Sequence, residues 1–264
     1  MTHIIADNLR ITQKAIETAV AENDPLPLQA MAKRCETAGA DGIDINSGPL
    51  YRDPESRMTF MVEAVQQVSH LPLILDTSNP KALKAGLLAS KTPVTLNGLS
   101  LEPSKLEYIL PLAAAHQADL VCYLLYPNGH VPPDGTERLN VAVSLYQKCL
   151  EAGIEPDRMI IDPVVVPLSW QDGLFQAREV LTVIKTLPEL LGFPVRTIAG
   201  LSNLTAGARD SVKKHLAEQT YLPMLAASGL SMILMNVLHT DSVRIARTCR
   251  LFSRESIFTW EMIG

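Results

Sequence analysis

Short apolar runs alternate with longer stretches of helical spacing from one end of this chain to the other, and that alternation most narrowly limits its fold. The strand-like runs are His3–Ala6, Gly42–Asn46, Leu71–Asp76, Pro93–Asn97, Leu120–Leu125, Met159–Asp162, Val195–Ala199 and Ser231–Asn236. Most are rich in Ile, Val and Leu and lack strict apolar–polar alternation, which is how strands buried on both faces of a parallel sheet read. Between them, Met58, Met61, Val62, Val65 and Val68 recur at three- and four-residue steps within Glu55–Val68, as on one face of a helix. Leu106, Ile109, Leu110 and Ala113 do the same further on. Asp53-Pro54 and Asn79-Pro80 each set a capping side chain before a proline suited to a first helical turn. Asn23-Asp24-Pro25-Leu26-Pro27 reads as a kink between two N-terminal helices, Ile11–Ala21 and Leu28–Ala38.

Eight units in 264 residues average about 33 residues each, the length of a βα repeat. The expected fold is therefore α/β, a (β/α)8 TIM barrel forming a single domain over residues 1–264. A doubly wound open sheet ranks below it, because no order switch, second domain or linker is visible. At 47% hydrophobic residues the chain can fill a core, and with only 5% aromatics that core is aliphatic, with Met224, Met232 and Met235 as filling.

A net charge of −5 without any Lys/Arg-rich run argues against nucleic-acid binding. No window approaches the roughly 18 apolar residues of a membrane span, and the N-terminus does not read as a secretory signal. Cys35, Cys122, Cys149 and Cys249 are scattered, so a cytoplasmic, reducing location is expected.

Polar residues gather where the apolar runs stop. Strand two ends in Asp44-Ile45-Asn46-Ser47-Gly48-Pro49, strand three in Asp76-Thr77-Ser78-Asn79, and strand four in Asn97-Gly98. Strand six ends in Asp162-Pro163, strand seven runs into Gly200-Leu201-Ser202-Asn203, and strand eight ends in Asn236. In a parallel barrel these ends converge on one rim, where ligands bind. Carboxylates and amides together suit a flat heterocycle bearing donors and acceptors on its edge. Any one of them could instead serve a loop or a helix cap, and for Asn79 the cap is the better reading. His130 and His239 read as surface or loop residues. None of these strand ends carries a lysine for Schiff-base chemistry, and the histidines lack metal-ligand spacing, so no bound metal is expected.

The segments Asp-Ile-Asn-Ser-Gly-Pro (44–49), Leu-Asp-Thr-Ser-Asn (75–79), Leu-Asn-Gly (96–98), Ile-Asp-Pro (161–163) and Gly-Leu-Ser-Asn (200–203) together resemble the pterin-binding family. The resemblance runs from about residue 3 to residue 250 and is closest to methyltetrahydrofolate:corrinoid/iron–sulfur protein methyltransferases; the folate module of cobalamin-dependent methionine synthase is similar. It implies that Asp76, Asn97 and Asp162, with Asn46, hold a pterin, while Gly200 and Ser202 border its ring. Asn203 would face N5 and act in catalysis with Asp162, and Arg209 would correspond to an arginine further along that loop. It also implies methyltetrahydrofolate or tetrahydrofolate as substrate, a corrinoid (cobalamin) carried by a partner protein, and a homodimer. Strand one departs from the family, reading Ala6-Asp7-Asn8-Leu9-Arg10 where members commonly carry Gly-Glu-Arg-(Ile/Thr)-Asn. Two alternatives stay open: a dihydropteroate synthase, whose strand-one Asn-x-Thr-x-Asp-Ser pattern is missing, and a non-catalytic pterin-binding or corrinoid-docking component.

Overall fold

A computed structural model describes residues 2–253 and 257–263. Eight parallel strands close into a barrel in chain order. They are β1 (His3–Arg10), β2 (Gly42–Asn46), β3 (Leu73–Asp76), β4 (Val94–Leu99), β5 (Asp119–Tyr123), β6 (Met159–Asp162), β7 (Arg196–Gly200) and β8 (Met232–Met235). The helices around them are α1 (Lys14–Glu22), α2 (Leu26–Thr37), α3 (Pro54–Gln66), α4 (Pro80–Ala89), α5 (Pro103–His116), α6 (Gly135–Glu151), α7 (Gly173–Leu191), α8 (Ser211–Ala227) and α9 (Thr240–Phe252). The (β/α)8 fold expected from the sequence is the one observed.

Period-two alternation divides each strand between two cores. On β3, Leu73 and Leu75 face the helices while Ile74 points into the barrel; on β6, Met159 and Ile161 face out and Ile160 in. The inward set Ile5, Ile74, Val121, Ile160 and Ile198 forms an apolar plug, so the barrel floor is solid. Polar residues continue that same inward face toward the C-terminal ends, which leaves the plug as the dry base of a polar mouth.

Some local readings change. β1 runs on to Arg10 rather than stopping at Ala6, because a register shift between Ala6 and Leu9 lets the strand continue through two buried polar residues, Asp7 and Asn8. Asn79 caps α4 as expected: its Oδ1 accepts from Lys81 N at 3.0 Å and Ala82 N at 3.3 Å. Asp53 does not cap α3; it sits in the left-handed region at φ 46° and its side chain makes no cap hydrogen bond. Met224 is not core filling either, being 45% exposed on α8.

The barrel closes between its first and last strands. β1 pairs β8 from His3↔Met232 to Ala6↔Met235. Beyond that ladder, Asn8 Nδ2 donates to Asn236 Oδ1 at 2.6 Å, and Val237 N donates to Asn8 Oδ1 at 3.0 Å. One amide thus joins strand ends that lie 228 residues apart.

Candidate functional site

The strand registers build the site row by row. Arg10, Asn46, Asp76 and Asn97 are successive lateral partners across β1, β2, β3 and β4. Partners in a parallel ladder share a face and stand about 4.8 Å apart, so these four side chains form one arc of the rim. Asp162 lies beside Tyr123 across β6 and β5. Asn46 donates its amide to Asp76, and Asn97 stands beside the Tyr123 hydroxyl. Asn97 is 2% exposed, and its Oδ1 is buried without a hydrogen-bond partner. An acceptor left unanswered in such a place costs about 1–3 kcal/mol unless a ligand supplies a donor.

Burial is the largest influence on three carboxylates of the mouth. It pushes the Asp76 carboxyl up to about 6, although the Lys105 and Arg10 charges hold it down. Burial lifts Asp162 to about 7, with Asp76 adding to the rise and the Val164 N–H and Arg138 opposing it. Asp44 is raised well above the ordinary range, first by burial and then by Asp76 and Asp7. Groups that titrate near neutrality can hold or release a proton at working pH.

The other wall comes from β7 and β1. Ser202 Oγ donates to Asp7 Oδ2 at 3.2 Å, and Arg10 forms an ion pair with the same carboxylate. Asn203 is exposed, and its amide lies across Gly200, where an added Cβ would come within 2.9 Å of Nδ2. Arg209 stands apart: it is exposed in the 206–210 segment and forms no ion pair among the described residues. His130 is exposed; His239 is partly buried, edge-on to His215 with ring centroids 4.3 Å apart.

Several neighbours of the site receive no role from the sequence, although Asp44 is among the polar residues that close strand two. Asp44 and Tyr123 carry a usable signal, since each keeps inward parity with an inward residue of its own or the adjacent strand. Lys105 reaches the rim from α5 rather than from a strand end, with Nζ 5.5 Å from the centre of the Tyr123 ring. Arg138 carries no signal, because an arginine on an amphipathic helix ordinarily faces water.

Residues 14–236 match the family described as pterin binding enzymes. This chain belongs to the pterin-binding enzyme family. Among its relatives is the methylcorrinoid:tetrahydrofolate methyltransferase of Eubacterium limosum, 24% identical over 242 residues, which span 90% of this chain and 86% of that one. Solved pterin-binding enzymes share the fold. The dihydropteroate synthase of Xanthomonas albilineans with 4-aminobenzoic acid superposes at a TM-score of 0.68 and 18% identity, over 96% of this chain and 94% of that one. The dihydropteroate synthase of Coxiella burnetii in complex with pteroic acid gives 0.67 and 16%, with the same coverage of both chains. Among the described residues of this pterin-binding enzyme, no three His, Cys, Asp or Glu side chains gather as a metal site, and no helix is long and apolar enough to cross a membrane.

Proposed function

We propose that this enzyme moves a methyl group between N5 of methyltetrahydrofolate and the cobalt of a corrinoid carried by a second protein. The observation that carries the reading is the buried, unpartnered Asn97 Oδ1 standing beside Asp76 in one register row. A pterin edge presents an N–H/NH2 pair next to a carbonyl and ring nitrogens. Asp76 and Asp162 offer acceptors for the first, and Asn97 offers both an acceptor and a donor for the rest. The methyl-transfer half is supported by the Eubacterium limosum relative.

The chemistry follows from N5. A methyl on a tertiary amine leaves only if that nitrogen gains positive character, so the site must favour a proton on N5 more in the transition state than in the ground state. Asn203 is not an acid, but its amide, resting over Gly200, can orient a hydrogen bond at N5. Asp162, pushed up to about 7, can exchange the proton through water. In the reverse direction the neutral N5 amine of tetrahydrofolate takes the methyl first, and the same groups then accept the proton from the methylated N5.

Mixing the protein with methyltetrahydrofolate and a reduced corrinoid protein, or free Co(I) cobalamin, tests this directly. Loss of the Co(I) spectrum with growth of methyl–cobalt is the expected result. Asn203→Ala should retain pterin binding by calorimetry while transfer falls roughly 100-fold, as on losing one aimed hydrogen bond. Absence of transfer in both directions with several corrinoid partners would overturn the proposal. So would formation of dihydropteroate from hydroxymethyl-dihydropterin diphosphate and 4-aminobenzoate.

The proposal includes a homodimer. Its support is an apolar face between α7 and α8, where Leu174, Leu216 and Met224 are 71%, 65% and 45% exposed. Light scattering after gel filtration reads the mass, and Leu216→Glu should yield a monomer.

A further inference from the structure

Arg138, on α6, is fully buried, yet no carboxylate forms an ion pair with it among the described residues. Its donors go to neutral oxygens instead. Nε donates to Pro132 O at 2.9 Å, Nη1 to Pro163 O at 2.7 Å and Val164 O at 3.2 Å, and Nη2 to Gln176 Oε1 of α7 at 2.7 Å. A guanidinium withdrawn from water without a counter-ion is costly, and only a fork of fixed geometry could satisfy so many oxygens at once.

What the fork grips is the turn just after Asp162. Val164 sits at φ 64°, a left-handed conformation unfavourable for a β-branched residue. In that conformation Val164 N donates to Asp162 Oδ1 at 2.7 Å. We propose that Arg138 is a positioning residue for Asp162: its fork locks the Pro163-Val164 turn, fixing one carboxylate oxygen on Val164 N–H and leaving the other for a ligand. Its charge also favours the ionised form of Asp162. The assignment of that ligand as a pterin rests on the function proposed above; the tie between Arg138 and Asp162 does not.

The charges around the pair are few. Asp162 is faced by Arg138 from α6, Asp76 from β3 and the Tyr123 phenol from β5. Arg138 is faced in addition by Tyr221 from α8, Glu179 from α7 and Asp134 at the start of α6. Removing or cancelling the guanidinium charge should therefore move the Asp162 titration upward.

Protein labelled with 13C at the aspartate carboxyls reports this by NMR across pH, with Asp162→Asn assigning the signal. In Arg138→Met and in Gln176→Glu, which sets a negative charge on Nη2 and keeps its acceptor, the Asp162 midpoint should rise by about one pH unit. Arg138→Lys keeps the charge but not the fork. Its midpoint should move less, while calorimetry shows tetrahydrofolate binding weakened about tenfold. An unmoved Asp162 midpoint in the folded variants, with the Val164 amide signal unshifted, overturns the assignment. If Arg138→Met does not fold, Gln176→Glu decides alone. Failure of the wild-type protein to bind tetrahydrofolate would count against the pterin reading only, since the carboxyl titration needs no ligand.

Discussion

Asp76 meets a neighbour's amide on one side and an unanswered amide oxygen in the next strand, so its contribution can be isolated. Asp76→Ala should weaken pterin affinity by roughly 1.5–3 kcal/mol, the range for a hydrogen bond to a charged group, read by calorimetric titration. Unchanged affinity would make Asp76 a structural partner of Asn46. Gly200→Ala is a cleaner probe of geometry. The new methyl would sit 2.9 Å from Asn203 Nδ2 and push that amide aside. Methyl transfer should fall roughly 10- to 100-fold, more than pterin binding does, as for a reacting group displaced by about 1 Å. At this scale the sequence revealed the residues that end strands, since a polar side chain closing an apolar run is conspicuous. It hid Arg138, whose burial depends on carbonyl oxygens from two loops and an amide from α7 that no local pattern records.

At the scale of elements, legibility followed the source of each element's stability. β2 and β6 matched their apolar runs to the residue, because burial on two faces selects continuous Ile, Val and Leu. β1 extends past the apolar run because its second half is held by a polar side chain that pairs with residues 236 and 237 at the end of the neighbouring β8, a partnership invisible from residues 3–10 alone. The Asx-Pro pairs 53–54 and 79–80 look equivalent in sequence, yet of the two only Asn79 caps its helix from an extended backbone, while Asp53 lies in the left-handed region and its side chain makes no cap hydrogen bond. Packing between elements allows a counter-intuitive expectation. Glycine inside α4 should favour replacement by alanine by about 1 kcal/mol on helix propensity. Yet a Cβ at Gly86 would lie 2.7 Å from Met58 Cγ of α3 and 2.9 Å from Leu75 Cδ1 of β3. Gly86→Ala should therefore destabilise the protein by about 1–3 kcal/mol in urea unfolding, and a gain would show that α3 and α4 can slide apart.

Across the whole molecule, the carboxylates of the mouth set a pH dependence opposite to that of most acidic groups. Asp76 and Asp162 titrate near 6 and 7 when folded, against about 4 when exposed. Between those values the folded chain keeps protons that the unfolded chain has released. Their stabilising contribution is full below about pH 4 and is lost as pH rises through 6 and 7. Asp41 works in the other sense. Burial would raise it, but Arg250, the Ile4 N–H and His3 together hold it low, so its effect falls below that window. The melting temperature of the ligand-free protein should drop between pH 5.5 and 8, and Asp162→Asn should flatten the drop; a rising profile would show that these groups are solvated. The barrel as a whole was legible because eight repeats leave few closed arrangements. The electrostatic character of its mouth was not, because it depends on which acids become neighbours.

The seam held by Asn8 and Asn236 has a consequence for how the protein is made. β1 leaves the ribosome first, and its closing partner follows 228 residues later. At 5–20 residues per second that interval is roughly 10 to 45 s, during which one edge of a growing parallel sheet stays unpaired. Asp7 and Asn8, polar residues within β1, make that edge a poor template for other strands until translation supplies the right one.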